Sequence, residues 1–277
     1  MTDHAENRPL TAVLHPSADD DAADHGGTTV PLVLVHGFPV DHRMWDETVA
    51  ELTGPSLAVD LPGFGDAPDA AGEPSVEALA DALAAALDAR GVHRAVVAGM
   101  SMGGYVALAL AERRPELVAG LALVDTKTVA DAPAARDNRL RIAGEAEAGG
   151  TVDPVRGMSE TMLGETSRRT RRDLVETVAG WIGAQRPASV AWAQRAMAAR
   201  PDRTAVLEAY EGPVTVVVGT EDELTPVEDA EHTLAHTSAA SDAALVLAPD
   251  AGHLAPLEAP EHVAGALERL RARVLQG

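Results

Sequence analysis

Ala98-Gly99-Met100-Ser101-Met102-Gly103-Gly104 is the stretch whose reading decides the fold. It follows Arg94-Ala95-Val96-Val97, which reads as a buried strand, and precedes Tyr105-Val106-Ala107-Leu108-Ala109-Leu110-Ala111, which reads as a helix. A serine at a strand-to-helix corner, with glycine two residues to each side, fits the G-x-S-x-G pattern. Such a turn is too tight for side chains at the flanking positions, which calls for glycine. It lifts the serine oxygen above the sheet at a helix N-terminus, where backbone N–H groups favour negative charge. The pentapeptide also arises by chance in ordinary small-residue turns. Its context decides its meaning.

Outward from this corner, the chain alternates strand and helix. Leu10-Thr11-Ala12-Val13-Leu14 reads as a first strand, after a disordered start over residues 1–9, and Ser17 to Thr29 as an acidic loop. Pro31-Leu32-Val33-Leu34-Val35 is an apolar run typical of a strand buried on both faces, and Leu57-Ala58-Val59-Asp60 is another short strand. Ser75 is placed to cap a helix through Arg90, with Leu79, Leu83 and Leu87 on one face and Gly91 ending it. Leu121-Ala122-Leu123-Val124-Asp125, Pro213 to Val218 and Ala244-Leu245-Val246-Leu247 read as later strands. Helices are expected at 227–236 and 260–275. This alternation predicts an α/β fold with a mostly parallel sheet and helices on both faces.

The alternation stops between residues 127 and 207. That stretch is helix-prone and broken at Gly149-Gly150, Pro154 and Pro187. It is too long for a structureless loop and reads as an inserted helical cap. The expected organisation is therefore 1–29 as an N-terminal strand and acidic loop, 30–126 with 208–277 as the core, and 127–207 as the cap. Arg168, Arg169, Arg171 and Arg172 read as a solvated helix face.

Composition bounds the partners. The 277 residues are 46% hydrophobic but only 3% aromatic, which predicts a core of Ala, Val and Leu. A formal net charge of −21, with Lys127 as the single lysine, argues against nucleic acid and anionic membranes, which repel an acidic surface. Absence of cysteine excludes disulfides and thiolate chemistry. The polar stretch from Met1 to Pro9 lacks the apolar segment of a signal peptide, and no run has the length of a membrane span. A soluble, cytoplasmic protein is expected, its oligomeric state left open.

Four loops follow strands and gather at their carboxyl ends, where an open parallel sheet binds ligands. They carry His36-Gly37-Phe38, Ser101, Asp222 and His253. A serine hydroxyl needs a base to become a nucleophile. An imidazole serves near neutral pH, and a carboxylate on its far nitrogen fixes the tautomer. Ser101, His253 and Asp222 fill these roles. Glu221 and Asp125 are rival acids, the spacing Gly219-x-x-Asp222-x-x-x-Pro226 favours Asp222, and Asp250 reads as a loop-capping residue. A developing oxyanion needs two fixed donors, expected from the backbone N–H groups of Phe38 and Met102. His36 reads as a hydrogen-bonder that holds its loop.

Together, His36-Gly37-Phe38-Pro39, Asp60-Leu61-Pro62-Gly63-Phe64-Gly65, the Ser101 corner, Gly219-x-x-Asp222 and Gly252-His253 resemble the α/β-hydrolase superfamily from about Leu32 to Val274. The chain order Ser, Asp, His is that of its triad. The Ser-Met-Gly-Gly form is similar to the branch of small esterases, enol-lactonases, C–C bond hydrolases and cofactor-free haloperoxidases or perhydrolases. One departure is Gly63-Phe64-Gly65-Asp66-Ala67, where the family has Gly-x-Gly-x-Ser. Serine rather than aspartate at the corner sets aside dehalogenase and epoxide-hydrolase chemistry.

The resemblance implies a carboxylesterase-like enzyme cleaving a small ester or lactone through an acyl-enzyme. C–C cleavage, perhydrolysis and a non-catalytic ligand receptor are the alternatives. Met158, Met162, Trp181 and Trp192, with His36, are candidate pocket residues. No cofactor or metal is expected, since no phosphate loop, His-Glu-x-x-His or Cys cluster occurs.

Overall fold

The computed structural model describes residues 10–17 and 30–276. Among the described residues, seven strands form one sheet in the order β1-β3-β2-β4-β5-β6-β7. They are β1 (Val13–Pro16), β2 (Leu32–Val35), β3 (Ser56–Asp60), β4 (Ala95–Met100), β5 (Val118–Val124), β6 (Val214–Gly219) and β7 (Ala243–Ala248). Only β1 runs antiparallel, pairing β3; every other ladder is parallel. Every residue of β2 to β6 is buried, as unbroken apolar runs demand in a sheet covered on both sides.

Helices α1 (Asp46–Ala50), α2 (Val76–Ala89) and α3 (Met102–Arg113) precede β5, and α11 (Val227–Ala235), α12 (Ala255–Glu258) and α13 (Pro260–Gln276) follow β6. Between β5 and β6 lie α4 (Pro133–Gly149), α5 (Asp153–Arg156), α6 (Met158–Thr161), α7 (Glu165–Thr170), α8 (Arg172–Gly183), α9 (Pro187–Ala199) and α10 (Thr204–Ala209). The chain steps from β2 one way to β3 and the other way to β4. Right-handed crossovers therefore place α1 on the face opposite α2 and α3. α1 packs with α13 on its side, and α2 packs with α3 on the other.

Local signals set the boundaries. The Ser75 side chain accepts from Ala78 N at 3.1 Å, a cap contributing about 1 kcal/mol, and α2 buries Leu79, Leu83 and Leu87. Gly150 ends α4 with φ +58°, and Pro154 and Pro187 stand in the first turns of α5 and α9. Pro is tolerated there because its missing N–H has no helical acceptor.

Two expectations change. The first strand lies at Val13–Pro16 rather than Leu10–Leu14, because pairing with β3 sets its register, Val13 against Asp60 and Pro16 against Leu57. Pro16 is acceptable there, at a sheet edge. The four arginines do not share one helix face, since the break between α7 and α8 falls at Arg171. Residues 1–9 and 18–29, expected as a disordered start and most of an acidic loop, lie outside the described residues. No described helix is long and apolar enough to cross a membrane.

Candidate active site

The strand order reverses between β2 and β4, and the serine corner sits at that point. Ser101 has φ +51° and ψ −113°, a conformation rare for a side-chain-bearing residue and typical of strained functional corners. Its backbone is over-determined: Ser101 N donates to Val124 O at 3.0 Å, and Ser101 O accepts from Thr126 Oγ1 at 2.8 Å. A Cβ on Gly99 would fall into the backbone of Gly103, and one on Gly103 would meet Val35 O. These glycines are needed for close backbone approach.

His253 Nε2 lies 2.8 Å from Ser101 Oγ, and its Nδ1 lies 2.8 Å from Asp222 Oδ2. With Asp222 ionised, Nδ1–H donates to it and the Nε2 lone pair faces the serine hydroxyl. Asp222 also accepts from Leu224 N at 2.8 Å, Thr225 N at 3.1 Å and Thr225 Oγ1 at 2.7 Å. Burial opposes its charge, but His253 and the Thr225 hydrogen bonds outweigh burial and hold Asp222 below the ordinary carboxylate range.

Neither rival acid, nor Asp250, contacts His253. Asp125 is fully buried and accepts from Gly219 N at 2.8 Å and Ala255 N at 3.1 Å. Burial, reinforced by the neighbouring Asp222 charge, pushes it well above the carboxylate range. Glu221 turns to α7, accepting from Thr166 N at 2.7 Å. Asp250 is an exposed loop residue with φ +57°.

Phe38 and Met102 flank Ser101, and their N–H groups have no protein acceptor among the described residues. Met102 opens α3, so its N–H precedes the first helical acceptor. His36 Nδ1 donates to Gly37 O at 2.8 Å, and its Nε2 accepts from Leu61 N at 3.1 Å. Burial lowers its pKa, consistent with a neutral ring that holds this loop.

A cavity of about 360 Å³ opens beside Ser101 and His253. Of the expected pocket residues only Met158 lines it. His36 is committed beneath the loop. Met162 is fully buried and its carbonyl accepts from His253 N at 2.8 Å. Trp181 lies under the Arg43 guanidinium, and Trp192 Nε1 donates to Gly72 O at 3.1 Å. Sequence reading missed Ala135, Asn138, Arg139 and Ile142, which line the cavity from one face of α4. Their i, i+3, i+4, i+7 spacing was the available signal. Lys127, Gln194 and Met197 were missed too. A larger groove of about 740 Å³ near Arg94, Glu112 and Tyr210 contains no nucleophile paired with a base.

His15 Nε2, His42 Nδ1 and Asp60 Oδ2 lie within 4.8 Å of one another, a grouping that could hold a cation. These atoms already hydrogen-bond directly at 2.8 and 2.9 Å, and the two rings stack 3.6 Å apart. Asp60 also accepts from Asp66 N at 2.8 Å, so the departure at Gly63–Ala67 leaves that loop hydrogen-bonded to the end of β3.

Residues 32–266 match the Alpha/beta hydrolase family. The chain is 32% identical over 251 residues to a pimeloyl-acyl-carrier-protein methyl ester esterase of Aromatoleum aromaticum, covering 86% of this chain and 96% of that protein. It is 45% identical over 107 residues to the esterase of that name from Neisseria meningitidis, covering 38% of this chain and 39% of the relative. Two further curated relatives are matched over only 28% and 62% of their own length. Among solved structures, a thermophilic esterase from Thermogutta terrifontis superposes with TM-score 0.85 at 34% identity, over 95% of this chain and 93% of the other.

Proposed function

The chain belongs to the alpha/beta hydrolase family, and on that premise we propose that it is a carboxylesterase-like serine hydrolase cleaving a small carboxylic ester or lactone. One observation carries the reading: the unbroken hydrogen-bonded line Asp222–His253–Ser101, two links of 2.8 Å, ending at a cavity. The naming of the A. aromaticum relative as a methyl ester esterase supports an ester substrate.

Ser101 Oγ attacks the carbonyl carbon while His253 Nε2 takes its proton. The oxyanion of the tetrahedral intermediate is held by the N–H groups of Phe38 and Met102. His253 then protonates the departing alcohol oxygen, leaving an acyl ester on Ser101. Water, activated by the same imidazole, attacks that ester and releases the acid. Asp222 stabilises the imidazolium in both halves without taking its proton. Residues 127–207 act as a cap over the 30–126 and 208–277 core, and Met158 contributes apolar wall to the acyl or alcohol pocket.

Hydrolysis of p-nitrophenyl acetate and butyrate tests this reading. Wild type turns over both, and Ser101→Ala loses on the order of 10⁴-fold or more in kcat. An alanine variant with wild-type rate overturns the assignment.

A further inference from the structure

The acidic balance of the chain, 43 acidic against 22 basic side chains, is reversed inside the cavity. Lys127 and Arg139 line it, and Asp131 is the one lining carboxylate among the described residues. Asp131 is already matched: Arg139 Nε lies 2.6 Å and Arg200 Nη1 2.8 Å from its Oδ2, and these cations hold it below the ordinary range against burial. Two guanidinium groups on one carboxylate leave a net positive charge. Arg139 Nη1 donates to Gln194 Oε1 at 3.2 Å, while its Nη2 has no acceptor among the described residues. Lys127, half-buried, has no partner there at all.

We infer that the substrate carries a carboxylate, which Lys127 and Arg139 hold while Ser101 attacks the ester carbonyl. This deepens the serine-hydrolase reading and rests on it for the position of the ester. A partly desolvated cation without a partner is unfavourable, and a neutral ester would leave it so. The net charge of −21 opposes entry of anions, so an anionic substrate requires local cations of this kind. The remaining wall combines apolar Phe38, Ile142, Met158, Met197 and Leu224 with polar Asn138, Thr161 and Gln194. It suits the short carbon chain of a half-ester of a small dicarboxylic acid, in a cavity at the small end of ligand sites.

Calorimetric titration with glutarate and with neutral dimethyl glutarate tests the inference without turnover. Glutarate binds wild type and Ser101→Ala at least about tenfold more tightly than the diester, Lys127→Met loses that margin, and Lys127→Arg restores most of it. The margin shrinks as salt is raised. Hydrolysis is then compared for monomethyl and dimethyl glutarate. The half-ester has the higher kcat/KM, and Lys127→Met lowers the ratio mainly through KM of the half-ester. Glutarate binding no tighter than the diester, or unchanged in Lys127→Met, overturns the inference. Serine-dependent p-nitrophenyl acetate turnover without glutarate binding sinks the anion site alone. Lys127-dependent glutarate binding without any hydrolysis supports the anion site and sinks the hydrolase reading.

Discussion

At the scale of single residues, two buried, neighbouring aspartates carry opposite shifts. Asp222 is held low by His253 and Thr225, whereas burial and the Asp222 charge push Asp125 high. The carboxylate facing the imidazole is Asp222, whose Oδ2 lies 2.8 Å from His253 Nδ1. Asp222→Asn is expected to lower kcat by about 10³–10⁴-fold, because the amide leaves His253 in the wrong tautomer. Asp125→Asn replaces a group already biased to its neutral form, and should cost no more than about tenfold. Parallel kcat measurements decide between them; a larger loss at Asp125 would reassign the acid. The residues of the hydrogen-bonded line could be proposed from sequence because chemistry constrains them: the glycines around Ser101 pack against backbone, and Asp222 sits three residues after Gly219. The pocket was not legible. Met162, Trp181 and Trp192 were candidates by size and apolarity, properties shared with packing residues, and nothing local distinguishes the two roles.

At the scale of elements, the His253 loop is held by Met162 O, which accepts from His253 N at 2.8 Å, and by Glu258. One Glu258 oxygen accepts from Gly252 N at 2.9 Å and Leu254 N at 3.2 Å, the other from Gly164 N at 2.8 Å. Glu258 thus ties α12 and the start of α7 to the residues flanking the imidazole. Glu258→Ala is expected to lower kcat by about tenfold with KM less affected, since misplacement of a base by an ångström is costly. Glu258→Gln, retaining one acceptor oxygen, should recover part of the loss. Equal change in kcat and KM for both variants would argue against a positioning role. Strand identities were legible from continuous apolar runs. The β1 boundary was not, because an edge strand takes its register from its partner. The i, i+3, i+4, i+7 stripe of α4 was present in the sequence, but polar Asn138 and Arg139 obscured its apolar pattern.

At the scale of the whole molecule, Asp60 joins the end of β3 to β1 through His15 and to the segment after β2 through His42. Burial disfavours the charged His42, but Asp60 outweighs it and raises the His42 pKa. A raised folded value means stabilisation that is fully present below the unfolded value of about 6.5 and lost as pH rises through the folded one. His42→Gln should therefore cost about 1–2 kcal/mol more at pH 5.5 than at pH 9. Urea midpoints of the two proteins at both pH values measure it, and an equal loss at both contradicts it. The α/β architecture was legible because strand and helix periodicities alternate over the core. The packing of α4 to α10 between β5 and β6 was not, since seven helices can pack in many ways.

The central claim, that Ser101 is the nucleophile activated by His253, is tested most directly by labelling with phenylmethylsulfonyl fluoride and peptide mass analysis. The account predicts one sulfonyl adduct on Ser101 in wild type, absent in Ser101→Ala and strongly slowed in His253→Ala. A folded wild-type protein that stays unlabelled, or is labelled at another residue, would contradict it.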